Sequence, residues 1–175
     1  MFSYYVTYKP YQVLCQFSAA EGKRTLKDVL AVERDVYPVG RLDYDSEGLL
    51  VLTNDPSLNK LLLLPAQVHT RTYYVQVEGV PAAADFDKWK QGVDISIDGK
   101  KYHTRPAKAW PLETEPLLPP RFPPIRFRQS IPVSWIALQL TEGKNRQVRR
   151  MTAALGYPTL RLVRYAIGQL NAEGW

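Results

Sequence analysis

Apolar and β-branched residues fall in short runs along this chain, separated by turn formers. Residues 2–8 mix aromatic and β-branched side chains and stop at Lys9-Pro10, which predicts a strand. Residues 11–17 predict a second. Thr25 with Asp28 three residues on has the spacing of a helix start, and Leu26, Val29 and Leu30 would share its buried face. Residues 49–53 are short, apolar and flanked by turn residues, so they predict a buried strand. Asp55-Pro56 supplies a capping acid and a proline at the first helical position; that helix should end before Pro65. Residues 72–77 predict a strand, and 82–91 a helix closed by Gly92. Residues 93–97 and 101–107 predict a hairpin around Asp98-Gly99. Proline crowds 111–124, which predicts an irregular excursion. In 133–141, Ile136, Leu138 and Leu140 alternate to one side. Asn145 can cap a helix from Arg146 to Leu155, ended by Gly156 and Pro158, with Val148, Met151, Thr152 and Leu155 as its inner stripe. Residues 159–170 predict two more short strands. The result is an α+β chain in which strands dominate, without the regular helix–strand alternation of a doubly wound sheet.

The 175 residues suffice for one sizeable domain or two small lobes sharing a core. Lys and Arg outnumber Asp and Glu by 23 to 17, and the pI of about 9.4 suggests an anionic partner, such as nucleic acid or an acidic surface. A single cysteine, Cys15, excludes an intrachain disulfide and fits a reducing compartment. No apolar run approaches the length of a membrane span, and the first ten residues lack the basic start and apolar core of a signal peptide. The expectation is a soluble cytoplasmic protein.

The stretch GRLDYDSEGLLVLTND, residues 40–55, brings the chemistry into question with three carboxylates at alternate positions: Asp43, Asp45 and Glu47. It mimics the opening of a calcium loop, but the twelfth position, which needs a bidentate Glu, holds Asn54. His69 and His103 are far apart, so the sequence supports no transition-metal site either. Gly22-Lys23-Arg24-Thr25 lacks the preceding glycine of a phosphate loop, and neither a dinucleotide fingerprint nor a Gly-x-Ser-x-Gly elbow occurs. Asp45, Glu47 and Gly48 read either as the scaffold of a tight turn or, for the acids, as partners of Asp43 in a glycosidase-like pair. EGKNRQVRRM, residues 142–151, is the strongest basic constellation. Arg146 and Arg150 lie four apart on one helix face, while Arg149 borders the inner stripe, where its planar fork suits a carboxylate. An ordinary solvated basic face is the competing reading.

Three segments in this order, GRLDYDSEGLLVLTND, RTYYVQVEG (71–79) and EGKNRQVRRM, resemble the signature of the RsuA-type pseudouridine synthases. YKPYQVLCQF and GYPTLRLVRYAIG fit as well, so the resemblance spans essentially the whole chain. It implies the pseudouridine synthase fold: a mixed, mostly antiparallel sheet flanked by helices, with a central active-site cleft between two lobes. Residues 1–175 would form one catalytic domain, its lobes sharing one sheet, with no separate N-terminal RNA-binding domain. The implied activity is isomerisation of uridines in ribosomal RNA: the base is detached from its ribose, turned, and rejoined through carbon, without cofactor or metal. The implied partner is 23S ribosomal RNA or a large-subunit assembly intermediate; a monomer is the default expectation. By the same resemblance Asp43 is the nucleophile, Tyr73 stacks on the uracil and takes the carbon-5 proton, and Arg149 pairs with Asp43. Arg71 stands where the family often has lysine. Tyr74 would point to the opposite side of its strand. Val148 would pack on the base, Arg41 would help hold the opened RNA, and Lys9, Arg146, Arg150, Arg161 and Arg164 would meet backbone phosphates. The alternative is a ribosome-assembly RNA-binding protein whose catalysis is secondary.

Overall fold

The structure, a computed structural model, describes residues 1–63, 69–126 and 128–175. In chain order the elements are β1 (Tyr4–Lys9), β2 (Val13–Leu14), β3 (Arg24–Thr25), β4 (Tyr37–Pro38), β5 (Glu47–Thr53), α1 (Pro56–Leu63), β6 (Arg71–Glu78), α2 (Ala83–Gln91), β7 (Asp94–Ile97), β8 (Lys100–His103), β9 (Lys108–Pro111), β10 (Val133–Leu140), α3 (Gln147–Ala154), β11 (Thr159–Ile167) and β12 (Leu170–Asn171). The expected end of the first helix before Pro65 lies outside the described residues.

One sheet organises the chain, with strand order β1-β5-β11-β6-β10-β9. Within this sheet, among the described residues, only β5 and β11 pair in parallel, with Val163 opposite Glu47 and Arg164 opposite Gly48. The other pairings in this sheet are antiparallel. Every residue of β5 is buried, because the strand is flanked on both edges and packed on both faces; this is why its centre, residues 49–52, is continuously apolar. The core is divided along the sheet. On the β6–β10 half, Val75, Val77, Ile136 and Leu138 pack with Trp89 of α2 and Met151 of α3. The Trp89 indole N–H donates to the Met151 carbonyl at 3.0 Å and ties the two helices together. On the β5 half, Leu50 and Leu52 pack with Val13, Leu26 and Val36, while Leu49 and Val51 face Val39 and Ile167.

Several elements follow their local signals. Asp55 caps α1 by accepting the Ser57 N–H at 2.8 Å. Asp98 and Gly99 both take left-handed φ, 50° and 77°, as a two-residue hairpin turn between β7 and β8 requires. Others differ. Residues 11–17 form only the two-residue β2, because Gln12 turns left-handed and its N–H goes to the Tyr44 carbonyl at 2.9 Å. The Thr25 box is real, with Asp28 accepting the Thr25 N–H at 2.7 Å, but it closes a single 3-10 turn, Leu26–Asp28. Strand β9 departs from the expectation: it falls between the expected strand 101–107 and the proline-rich excursion and shares only Pro111 with the latter, where proline is tolerated because β9 is the last strand of the sheet. Helix α3 starts at Gln147, not at Arg146. Arg146, not Asn145, is its N-cap, in a left-handed conformation, φ 53°, and the Gln147 side chain accepts the Lys144 N–H at 2.9 Å.

Candidate active site

The turn before β5 is held from several sides. Gly48 has φ 112° and lies against the β11 backbone. A Cβ there would sit 2.7 Å from the Arg164 nitrogen, 2.9 Å from its carbonyl carbon and closer still to its oxygen. Glu47 is 2% exposed and receives two bonds from Arg161, at 2.9 and 2.8 Å, and one from the Tyr8 hydroxyl at 3.1 Å. Asp45 receives a two-pronged bond from Arg146, 2.9 Å on each prong, which holds its carboxyl below the usual carboxylate range. Within the turn, the Ser46 N–H donates to the Asp43 carbonyl at 3.1 Å. Asp43 itself stays open: its side chain is 40% exposed and its one ion pair is a loose 3.5 Å contact with Arg146. Two of the three carboxylates are therefore tied into the fold and one faces the cleft.

This corrects the expected partner. Arg149 does not pair with Asp43; it donates to the Asp45 backbone carbonyl at 2.6 Å and lies 3.5 Å from the Asp45 carboxylate. The Arg149 guanidinium is spent on the Asp45 turn, while Arg146 makes the two-pronged bond to Asp45 and the 3.5 Å contact with Asp43.

Three of the proposed phosphate contacts are also corrected, because two are buried and one is taken up by a carboxylate of the fold. Lys9 is fully buried and donates to the carbonyls of Pro10 and Val13, at 2.9 and 2.8 Å. Arg161 is the counter-ion of Glu47. Arg164 is 3% exposed, and its Nε donates to the Leu49 carbonyl at 2.9 Å. Arg150 is half-buried and bonds the carbonyls of Asn145 and Ser96, joining α3 to β7. Arg41 and Arg146 remain exposed at the cleft.

The cleft has a volume of about 550 Å³. Asp43 and Arg41 line it from the turn, Tyr73 from β6, Val148 from α3, and Leu162 and Arg164 from β11. Tyr73 is the cross-strand partner of Arg164. Tyr74, one residue on, faces away and stacks on Tyr165 with ring centroids 4.1 Å apart. The sequence reading missed one wall. Glu142 accepts from the Tyr102 hydroxyl, the Arg105 N–H at 2.8 Å and the Gln147 amide at 2.7 Å, so it fastens the end of the β7–β8 hairpin to the start of α3. Arg105 and Lys144 thereby join the cleft. Glu142 and Gln147 stand in the recognised motif, but no local pattern links them to a hairpin 40 residues earlier. Among the described residues no group of three His, Cys, Asp or Glu side chains is placed to hold a metal, and no helix is long and apolar enough to cross a membrane.

Burial lowers the Lys9 ammonium to about 8, with the carboxylates of Glu47, Asp45 and Asp43 opposing. Below that pH both folded and unfolded chains hold the proton, and folding carries the cost of the buried charge. Between about 8 and the ordinary lysine value of roughly 10.4, only the unfolded chain holds it, so this residue's contribution to stability rises with pH. The stability of the native protein minus that of Lys9→Met should therefore rise by roughly 3 kcal/mol between pH 7 and 10.4 in denaturant titrations. A flat difference would mean that Lys9 titrates like a surface lysine.

An open carboxylate, a tyrosine and a basic rim thus meet in one cleft on a mixed sheet. Residues 3–154 match the RNA pseudouridylate synthase family, and the chain belongs to it. More particularly, the chain is 53% identical over 167 residues to ribosomal large subunit pseudouridine synthase E of Xanthomonas axonopodis pv. citri, covering 94% of this chain and 85% of that one. It is 49% identical over 163 residues to the protein of the same name from Vibrio parahaemolyticus, covering 93% of this chain and 66% of that one. It thus spans just under two thirds of the Vibrio relative. A solved pseudouridylate synthase shares the fold at TM-score 0.77 and 24% identity, over 98% of this chain and 65% of that one.

Proposed function

We propose that this chain converts uridine to pseudouridine in large-subunit ribosomal RNA, with Asp43 as nucleophile. The observation that carries this is the division of labour within the turn. Asp45 and Glu47 are held by Arg146 and Arg161, which leaves Asp43 as the open carboxylate of the turn, in a basic cleft beside Tyr73. The cleft's volume suits one nucleoside, so a paired uridine would have to leave its stack to enter. The Asp43 carboxylate attacks C1′ of the ribose and the bond to N1 breaks. The base turns, its carbon 5 displaces Asp43, and the carbon-5 proton leaves to a base, for which Tyr73 is the candidate. Arg41, Arg105, Lys144 and Arg146 surround the opening as contacts for the RNA backbone. The names of the relatives support large-subunit ribosomal RNA as the substrate class, and 23S RNA, free or in an assembling particle, is the specific reading. Site-resolved pseudouridine mapping of cells with and without the protein tests it. One large-subunit uridine should lose its modification in the deletion and regain it on complementation. An unchanged 23S map would overturn the substrate assignment.

A further inference from the structure

Arg164 is a buried cation without a counter-ion. It is 3% exposed, and its Nε is satisfied by the Leu49 carbonyl at 2.9 Å. Its Nη2 is buried with no hydrogen-bond partner, and among the described residues no carboxylate pairs with it. Burial works against its charge; Tyr73 across the strand favours the charge, but among the described residues no full negative charge is at hand. Arg71 lies near enough to disfavour its charge, and the two arginines line the same cleft. Arg71 spends one N–H on the Leu62 carbonyl, at 3.4 Å, again an uncharged partner. Removing an arginine from water without a carboxylate costs several kcal/mol, and an unsatisfied buried donor calls for an explanation. Glu47 on the adjacent strand has its own arginine, so the same sheet does supply a counter-ion where the role is structural. At Arg164 the missing charge faces the floor of the cleft, opposite Tyr73.

We infer that Arg164, with Arg71 beside it, stabilises the detached uracil as an anion. The inference rests on the reading of Asp43 as nucleophile. When the Asp43 oxygen bonds to C1′, the electron pair of the C1′–N1 bond goes to N1, and the free base carries a negative charge. That charge exists only between bond cleavage and the formation of the C1′–C5 bond. When C5 attacks C1′, the Asp43 carboxylate leaves; N1 gains a proton, C5 loses one, and the product is neutral again. A fixed cation in a water-poor site acts most strongly on a charge that appears during reaction and costs no reorganisation at that moment. It contributes little to binding of the neutral uridine, so its effect falls on the chemical step rather than on affinity.

The test compares RNA carrying uridine with RNA carrying 5-fluorouridine at the target position, under single turnover, reading cleavage of the C1′–N1 bond. Fluorine makes the base more acidic and its anion more stable without enzymic help. Arg164→Met should slow cleavage of uridine about 100-fold or more and leave RNA affinity within about 3-fold. With 5-fluorouridine the deficit should shrink at least about 10-fold. Arg164→Lys, which keeps the charge, should retain more activity than Arg164→Met. If Arg164→Met melts below the assay temperature, Arg164→Lys carries the test, and its smaller deficit must still shrink with the fluorinated base. Equal deficits on both bases, or a loss confined to affinity, overturn the inference and leave Arg164 a packing residue. Asp43→Asn separates the two assignments. If it cleaves at the native rate, the nucleophile reading fails; if it is inactive while Arg164 variants ignore the fluorine, only the Arg164 inference fails.

Discussion

Asp43→Asn should lower pseudouridine formation by roughly three orders of magnitude or more while leaving the fold in place. The amide is not a competent nucleophile at C1′, so the covalent step is lost. Stability should hardly change, because the Asp43 side chain is 40% exposed and its ion pair with Arg146 is a 3.5 Å contact to an arginine already engaged by Asp45. The expected result is a protein with native melting temperature and RNA affinity but no product in purified 23S RNA. Activity within 10-fold of native would end Asp43's assigned role. The same variant addresses the assembly-factor alternative: if Asp43→Asn restores ribosome assembly in a deletion strain, binding rather than chemistry is what the cell requires. The neighbouring acids should behave differently. Removing Glu47 leaves the buried Arg161 without a counter-ion, so that change acts through stability.

Gly48→Ala is the second large effect, and it acts on the fold. Alanine at φ 112° is strained, and its Cβ would meet the Arg164 backbone rather than a side chain able to move aside. Strand β5 would have to part from β11 at the parallel seam of the main sheet, next to the turn that presents Asp43. A cost of roughly 3–5 kcal/mol follows from combined strain and overlap, or a melting temperature lowered by about 10 °C or more. Gly156→Ala is the control. It also has a positive φ, 87°, but nothing lies within 4 Å of the added carbon, so it should show the conformational cost alone, about 1 kcal/mol. Equal losses at the two glycines would refute the argument from close approach.

The contrast between these residues shows how far the chain can be read without coordinates. Local signals carried most of the elements: the apolar run of β5, the Asp-Pro start of α1, the Asp-Gly turn of the β7–β8 hairpin and the stripe of α3 each depend on residues within one turn or strand. The motifs also placed Asp43, Tyr73 and Arg146 in one cleft. Their partners were another matter. Asp45 and Glu47 looked alike on paper, and only the arrival of Arg146 and Arg161, each about a hundred residues later, makes them scaffold. The charge pattern counted Lys9, Arg161 and Arg164 as surface cations, because a formula of basic residues carries no burial. Even the helix that bears Arg149 was read well, yet in the structure its guanidinium meets Asp45 rather than Asp43, a choice that rests on contacts about a hundred residues apart in sequence. The sequence by itself determined most of the strands, the motifs and the candidate carboxylate, because these rest on period, turn chemistry and short-range spacing. Only the tertiary structure decided which cations were counter-ions, which were buried and which was left unpaired, because ion pairing depends on distances that the crossing of β5 and β11 creates.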